Sequence, residues 1–298
     1  MSFNMSSREL ASFSDAPPAA PLNLLFIHHS VGGQLLADPG PLESTNDARR
    51  SLHRTHPNGG GLRSLLARQG YLVNEVSYTS AIGQKTDLFD WAPKFRDSMA
   101  QILATRHQDE RLEAGANQIV MFKSCYPNNA FKPADGAAGN MRGPELTLPN
   151  AMATMGAVRD ELAKFPGTLF MYMTAPPLRA GPREPLWKQG AKILLRRPTR
   201  TQEQSTSAAI ARGFNDWLVS PAGWLAGYPH RNIVVFDYFN LLTGSLLTGQ
   251  IATEKRSDFL EYASNGGTDN HPHAQAQAMA AAQLVPFLNR AVRYAGVA

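Results

Sequence analysis

Three polar residues near opposite ends of the chain have the types and spacing needed for acyl transfer. Ser30 lies between an apolar run, Leu22 to Ile27, and a pair of glycines. Far along the chain, His271 stands two residues after Asp269. A serine hydroxyl becomes nucleophilic when a base removes its proton, and that base needs a partner that fixes its tautomer. Ser30, His271 and Asp269 could fill these three roles.

The tetrahedral intermediate of such a reaction also needs hydrogen-bond donors. The candidates are the backbone N–H groups of Ser30 and Gly83 and the side-chain amide of Asn128, because each lies in a loop that follows a predicted strand. The adjacent Asn129 competes with Asn128 for the donor role. These positions predict an oxyanion hole built from Ser30, Gly83 and Asn128.

The elements that must position these loops are predicted from hydrophobic patterning. Short apolar runs bounded by turn formers indicate buried strands, and stripes of apolar residues at helical spacing separate them. After the first run, strands are predicted at Tyr71–Tyr78, Gln118–Lys123, Thr168–Thr174 and Ile233–Phe236. Strands that alternate with helices predict an α/β protein with a parallel sheet covered on both faces. The carboxyl ends of its strands form the ligand side, where the candidate residues would meet.

Three motifs resemble those of the SGNH/GDSL hydrolases, and the resemblance covers most of the chain from Leu22 onward. They are Ile-His-His-Ser-Val-Gly, Lys-Ser-Cys-Tyr-Pro-Asn and Asp-Asn-His-Pro. The resemblance implies a flavodoxin-like, three-layer αβα sandwich with a five-stranded parallel sheet. It also implies a serine esterase for small acyl esters, such as acetyl esters on carbohydrate. Ser30 would be the nucleophile and Asp269 and His271 the rest of the triad, with Gly83 and Asn128 as oxyanion donors.

The identity of the acid is the least regular part of this resemblance. In the family, the acid usually stands three residues before its histidine, where this chain has Thr268. Asp269 stands one residue closer to His271 than that position. Asp237, at the end of the last predicted strand, is the second choice for the acid. His271 is preferred to His273 as the base because the family's histidine commonly precedes a proline.

A rival interpretation makes the histidines a metal site. Imidazoles are ordinary zinc ligands, and the pairs His28/His29 and His271/His273 could meet if the first and last elements adjoin. This arrangement leaves Ser30 unexplained, and side chains of neighbouring strand residues point to opposite faces. We therefore expect no metal and no cofactor.

Two further alternatives stay open from the sequence. Cys125 could be the nucleophile, although nothing in its neighbourhood predicts a lowered thiol pKa. The rim could also bind a glycan without catalysis. Turnover of esters by the intact protein would distinguish an enzyme from a binding protein.

Length and composition predict one domain. The 298 residues contain no repeat or long linker, which favours a single hydrolase domain over residues 21–298. Residues 1–20, rich in Ser, Ala and Pro, predict a flexible tail. Residues 178–204 carry prolines at both ends and a basic run, which predicts an insertion that could act as a lid.

Charge and hydropathy restrict the partners. The net charge of +5 is modest and mostly dispersed, so we expect an ester substrate rather than nucleic acid. No apolar run approaches the ~18 residues that a membrane-spanning helix needs, which predicts a soluble protein without a membrane partner. The first twenty residues lack the apolar core of a secretory signal, which predicts a cytoplasmic location. The sequence does not indicate an oligomeric state.

Overall fold

A five-stranded parallel sheet forms the centre of the structure. The structure is a computed structural model, and it describes residues 10–45, 51–134, 136, 138–141, 143, 145–244, 257–261 and 263–297. The strands of the chain are β1 (Leu22–Ile27), β2 (Asp38–Pro39), β3 (Glu43–Ser44), β4 (His53–His56), β5 (Tyr71–Val76), β6 (Ile119–Phe122), β7 (Leu169–Met173) and β8 (Ile233–Phe236). The large sheet has the order β5-β1-β6-β7-β8, in which Ile27 pairs with Val76 on one side and Phe122 on the other. This is the flavodoxin-like order, and the predicted fold class is confirmed.

Helices cover both faces of this sheet. They are α1 (Ser30–Leu36), α2 (Leu62–Arg68), α3 (Trp91–Ala104), α4 (Leu148–Leu162), α5 (Leu186–Leu194), α6 (Arg200–Val219), α7 (Tyr238–Thr243) and α8 (Ala274–Ala295). Because strand side chains alternate between faces, the sheet separates two cores. Leu24 and Phe26 of β1 pack with α1, α2 and α8, whereas Leu25 and Ile27 pack with α3, α4 and α6.

The structure contains elements that the hydrophobic pattern did not reveal. Strands β2, β3 and β4 form a small second sheet in the loop after α1. Helix α5 lies within the predicted lid, residues 178–204, and its side chains are mostly exposed. Among the described residues, no helix combines the length and the apolar character required to cross a bilayer.

The predicted tail is in contact with the domain over the part that the structure describes. Leu10 is buried, and the ring of Phe13 packs edge-on against Tyr294 of α8. Asp15 accepts a hydrogen bond from Arg290 of the same helix. Residues 10–20 are mostly exposed but contact α8 at these positions, and residues 1–9 lie outside the described residues.

Candidate active site

The nucleophile candidate sits at a sharp turn between β1 and α1. After Ile27, the chain passes through His28 and His29 and begins α1 at Ser30. The turn requires glycine at two positions: a Cβ on Gly32 would lie 2.4 Å from His28 Cβ, and one on Gly33 would lie 2.0 Å from the Ser51 carbonyl oxygen. The glycines that follow Ser30 therefore allow the close backbone approach that holds it at the carboxyl edge of the sheet.

The structure brings Ser30 together with the late histidine and aspartate. Ser30 Oγ and His271 Nε2 are 2.9 Å apart although the residues are separated by 241 positions. His271 Nδ1 lies 2.8 Å from Asp269 Oδ1. Since the carboxylate accepts from Nδ1–H, Nε2 is left as the acceptor for the serine hydroxyl. This is the tautomer that a general base for Ser30 requires.

Asp269 is held as a carboxylate by its neighbours. Burial acts to raise the pKa of Asp269, but hydrogen bonds from His271 and the Ser264 hydroxyl outweigh it, so its pKa is lowered from the ordinary value. Ser264 Oγ donates to Asp269 Oδ2 at 3.2 Å, and the His271 backbone N–H reaches Asp269 Oδ1 at 3.3 Å. The acid is therefore charged at neutral pH.

The other candidates for the acid have different partners. The Thr268 hydroxyl donates to the Asn265 carbonyl, and Asp237 caps α7 by accepting from the backbone and side chain of Asn240. His273 caps α8, where its Nδ1 accepts from the Ala276 N–H. The His271 Nδ1–H donates to Asp269, and not to either of these residues, although the acid and base are separated by a single residue.

Two of the predicted oxyanion donors are occupied by other contacts. The Gly83 N–H donates to the backbone oxygen of Ser80 at 3.2 Å and to its Oγ at 2.8 Å. Glycine is needed there because a Cβ would lie 2.1 Å from the Ser77 carbonyl oxygen. In this structure the Gly83 N–H is therefore engaged within its own loop, and its role as an oxyanion donor stays a prediction.

The amide of Asn128 is committed as well. Its Nδ2 donates to Asp87 Oδ1 at 3.0 Å and to the Cys125 carbonyl at 3.3 Å, while its Oδ1 accepts from the Leu88 N–H. Asn129 donates instead to the carbonyls that precede the lid segment, those of residues 175 and 176. Both amides therefore have partners outside the triad in this structure, and the role of Asn128 as an oxyanion donor stays a prediction.

A tyrosine that the sequence did not single out lies beside the nucleophile. Burial raises the pKa of Tyr78, and the side chain and the backbone of Ser30 act against that rise. Its ring stacks on His29 with centroids 3.7 Å apart. The next residue, Thr79, has φ +73°, an unfavourable backbone for a β-branched residue. Tyr78 lies just beyond the carboxyl end of β5, and this position is the sequence signal that could have identified it.

His29 provides a neutral support for this tyrosine. Burial lowers the pKa of His29 to about 4. Its Nε2 lies 2.8 Å from the Gly83 carbonyl oxygen, to which the neutral ring donates. This hydrogen bond fixes the His29 ring on which Tyr78 stacks. Because the pKa of His29 is about 4, the ring stays neutral between weakly acidic and neutral pH.

Two other side chains after β6 lie near the nucleophile turn: Cys125 faces Ser30, and the charge of Lys123 acts on His29. Cys125 Sγ lies 3.8 Å from Ser30 Oγ and is mostly buried. Lys123 is fully buried, and its Nζ has no hydrogen-bond partner among the residues that the structure describes. Burial lowers the pKa of Lys123, which favours a neutral amine next to the site.

The histidines of the rival metal site have separate partners. His28 Nε2 lies 3.1 Å from Glu75 Oε2, and His28 Nδ1 lies 2.9 Å from the His29 carbonyl oxygen. His271 bonds to the serine, and His273 caps a helix. In the described part of the chain, no group of three or more His, Cys, Asp or Glu side chains is arranged to hold a metal ion.

Glu75 joins His28 to Arg63 in a buried cluster beneath the nucleophile turn. Arg63 donates to Glu75 Oε1 at 2.5 Å, and Glu75 is 2% exposed. Burial acts to raise the pKa of Glu75, but the hydrogen bond to His28 and the charge of Arg63 outweigh it, so its pKa is lowered. A lowered pKa means that this carboxylate stabilises the fold at neutral pH and stops doing so as pH falls through that pKa, below 4.5.

We expect Glu75→Gln to lower the free energy of unfolding at pH 7 by about 3 kcal/mol, because it removes the carboxylate that pairs with Arg63 and that accepts from buried His28. Urea titration at pH 7 and at pH 4 measures the effect, which should shrink at the lower pH. The matched control is Glu145→Gln, which removes an exposed pair with Lys132 and should change stability by less than about 1 kcal/mol. Equal losses in the two variants would contradict a stabilising cluster at Glu75.

A cavity of about 390 Å³ lies beside the histidine loop. Its wall includes Asn270, between the acid and the base, and Asn129 after β6. The Arg179 N–H donates to Asn270 Oδ1 at 3.0 Å, which ties the start of the lid segment to the histidine loop. The remaining wall comes mainly from residues 178–182, 200–211 and 258–259. This space is large enough for a small organic group. Asn270 links its wall to the loop that carries the acid and the base, whereas Ser30, Asp269 and His271 are not among the residues that line it.

The chain was also compared with known proteins. No protein-family model, no curated protein and no solved structure matched it. The function proposed for this site is therefore drawn from its own geometry and from the sequence motifs.

Proposed function

We propose that the protein is a serine ester hydrolase of the kind that the SGNH/GDSL resemblance implies. The observation that carries this proposal is the hydrogen-bonded chain from Ser30 Oγ through His271 to Asp269, with separations of 2.9 and 2.8 Å. The three residues stand at the carboxyl edge of a parallel sheet, where α/β enzymes place their ligands. A hydroxyl, an imidazole and a carboxylate in this order form the arrangement that activates serine in unrelated hydrolases.

The reaction follows from these contacts in two steps. Ser30 Oγ attacks the ester carbonyl carbon while its proton moves to His271 Nε2, and the imidazolium then protonates the departing alcohol oxygen. The product is an acyl ester on Ser30. Water then attacks this ester, gives one proton to His271, and the acid leaves as the proton returns to Ser30 Oγ. Throughout, the Asp269 carboxylate fixes the ring and stabilises its charged form.

The Ser30 N–H and the Tyr78 hydroxyl are the proposed donors to the tetrahedral oxyanion. The Ser30 N–H belongs to the nucleophile itself, and the Tyr78 phenol is close enough for the side chain and backbone of Ser30 to act against the rise of its pKa. The incoming oxyanion would take over these donors. Donors fixed before the reaction stabilise developing charge without reorganising.

Tyr78→Phe is expected to lower kcat for ester hydrolysis by about 10²-fold with little change in KM, because the lost donor acts mainly on the transition state. Steady-state kinetics on a p-nitrophenyl ester measure the split. Tyr71→Phe is the matched control, since that hydroxyl bonds to Asn289 in the core, 2.7 Å away, and its loss should affect stability alone. An unchanged kcat in Tyr78→Phe would remove Tyr78 from the oxyanion site.

The proposed substrate is a small acyl ester, with an acetyl ester on carbohydrate as the specific candidate. The cavity beside the histidine loop supports it, because amide and charged side chains there could hydrogen-bond sugar hydroxyls, and Phe239 and Phe259 contribute apolar rings to its wall. A panel of p-nitrophenyl acetate, butyrate and octanoate, together with acetylated sugars, tests the proposal. Turnover that is fastest for acetyl esters supports it, whereas glycan binding without turnover of any ester would favour a binding protein.

A further inference from the structure

Helix α5 presents its apolar side to solvent and its polar side to the protein. The exposed fractions are 84% for Leu186, 71% for Trp187, 65% for Ile193, 84% for Leu194 and 65% for the adjacent Leu195. The polar side faces the neighbouring helix, where Lys192 lies 3.9 Å from the Glu203 carboxylate of α6 and pairs with the Glu184 carboxylate at 3.0 Å. Surface helices of globular proteins show the opposite arrangement. An outward apolar stripe of this size indicates a surface that is covered in use.

The segment around α5 is strongly basic. Residues 178–200 contain one acidic residue, Glu184, and seven basic ones: Arg179, Arg183, Lys188, Lys192, Arg196, Arg197 and Arg200. The excess of basic over acidic residues in this segment exceeds the net charge of the whole chain, which is +5. Most of these cations are exposed, and Lys188 Nζ lies 5.2 Å from the ring centroid of Trp187. Cations therefore surround the exposed apolar stripe.

We propose that α5 is a docking element for an anionic lipid surface. Helices that lie in the interface of a bilayer combine Trp and Leu on one side with Lys and Arg around them, and they need no membrane-spanning length. Acidic headgroups would neutralise the basic segment while the apolar stripe enters the acyl boundary. A second copy of the chain fits less well, because packing α5 against itself brings two strongly basic segments together.

The position of α5 relates this surface to the triad. Leu178 and Pro182 before the helix, and Arg200 and Gln204 after it, all line the cavity beside the histidine loop. Docking through α5 would therefore hold the cavity near the lipid headgroups. This inference goes beyond the proposed hydrolysis, and its test measures binding alone, so either can fail without the other.

Vesicle binding by the full chain tests the proposal. We expect sedimentation with vesicles containing about a third phosphatidylglycerol and weak binding to phosphatidylcholine alone. The double variant Leu186→Gln/Leu194→Gln should weaken binding to the anionic vesicles by at least about tenfold. The control is Leu72→Gln, which changes a 53% exposed leucine on β5 and should bind as the unmodified protein does. Circular dichroism verifies that each variant is folded.

Tryptophan fluorescence gives a second measurement on the same vesicles. Trp91 and Trp224 are buried, and Trp217 is half-buried and stacked on Phe214. A blue shift on binding should therefore come mainly from the exposed Trp187 and disappear in Trp187→Phe. Arg196→Gln/Arg197→Gln should reduce the preference for anionic lipid. The proposal is overturned if the unmodified protein does not bind, or if the leucine variant binds equally well. It is also overturned if that variant only converts a dimer to a monomer, which would identify a second copy as the occupant.

Discussion

Ser30→Ala is expected to lower kcat/KM for ester hydrolysis by about 10⁴-fold to about 10⁶-fold, the range seen when a serine hydrolase loses its nucleophile. The hydroxyl oxygen is the atom that would form the acyl bond, and it lies 2.9 Å from His271 Nε2. Binding and the oxyanion donors remain, so the residual rate should still exceed that in buffer. Steady-state kinetics with p-nitrophenyl acetate measure the loss.

The fold should survive this substitution. Ser30 is partly exposed and lies outside both cores, so thermal unfolding of Ser30→Ala should match that of the unmodified protein. Cys125→Ser is the informative companion, because its Sγ lies 3.8 Å from Ser30 Oγ. Full activity in Ser30→Ala together with loss in Cys125→Ser would overturn the proposed serine mechanism and favour the cysteine.

His271→Ala should lower kcat by about 10⁶-fold, and Asp269→Asn by about 10⁴-fold, the ranking found when the base and the acid of a triad are removed separately. Alanine at 271 leaves no acceptor for the serine proton. Asparagine at 269 keeps a hydrogen-bonding group 2.8 Å from Nδ1 but can hold the ring in the wrong tautomer. Single-turnover kinetics measure both effects on the chemical step.

The matched controls are substitutions at the two competing acid positions. Thr268→Val removes a hydroxyl that bonds to the Asn265 carbonyl, and Asp237→Asn weakens the cap of α7. Neither contacts His271 in the structure, so both should retain activity within about tenfold of the unmodified protein. A larger loss in either than in Asp269→Asn would show that the acid has been assigned to the wrong residue.

The sheet could be predicted because its strands are buried on both faces. Such strands appear in sequence as short apolar runs, and Ile233–Phe236 was found with its predicted bounds. Helix α5 could not be predicted in the same way, because its apolar residues do not face the core and its flanking prolines indicated an insertion. The small sheet of β2, β3 and β4 has too few apolar residues to produce a pattern.

The candidate site was predictable in part for the same physical reason. Ser30 follows β1, and His271 precedes α8. The topology of a parallel sheet brings such loops to one edge. The donors of the oxyanion hole were not predictable, because side-chain contacts within each loop decide where an N–H or amide points. Gly83 is tied to Ser80 and Asn128 to Asp87, and no residue pattern near either position indicates those bonds.

Mass spectrometry after reaction with a fluorophosphonate tests the central claim most directly. The reagent forms a stable bond with a serine oxygen that an adjacent base activates, and the modified peptide identifies that serine. The proposed mechanism predicts one adduct on Ser30, formed rapidly in the unmodified protein and hardly at all in His271→Ala. Active esterase that acquires no adduct on Ser30, or that labels Ser30 equally well without His271, would contradict it.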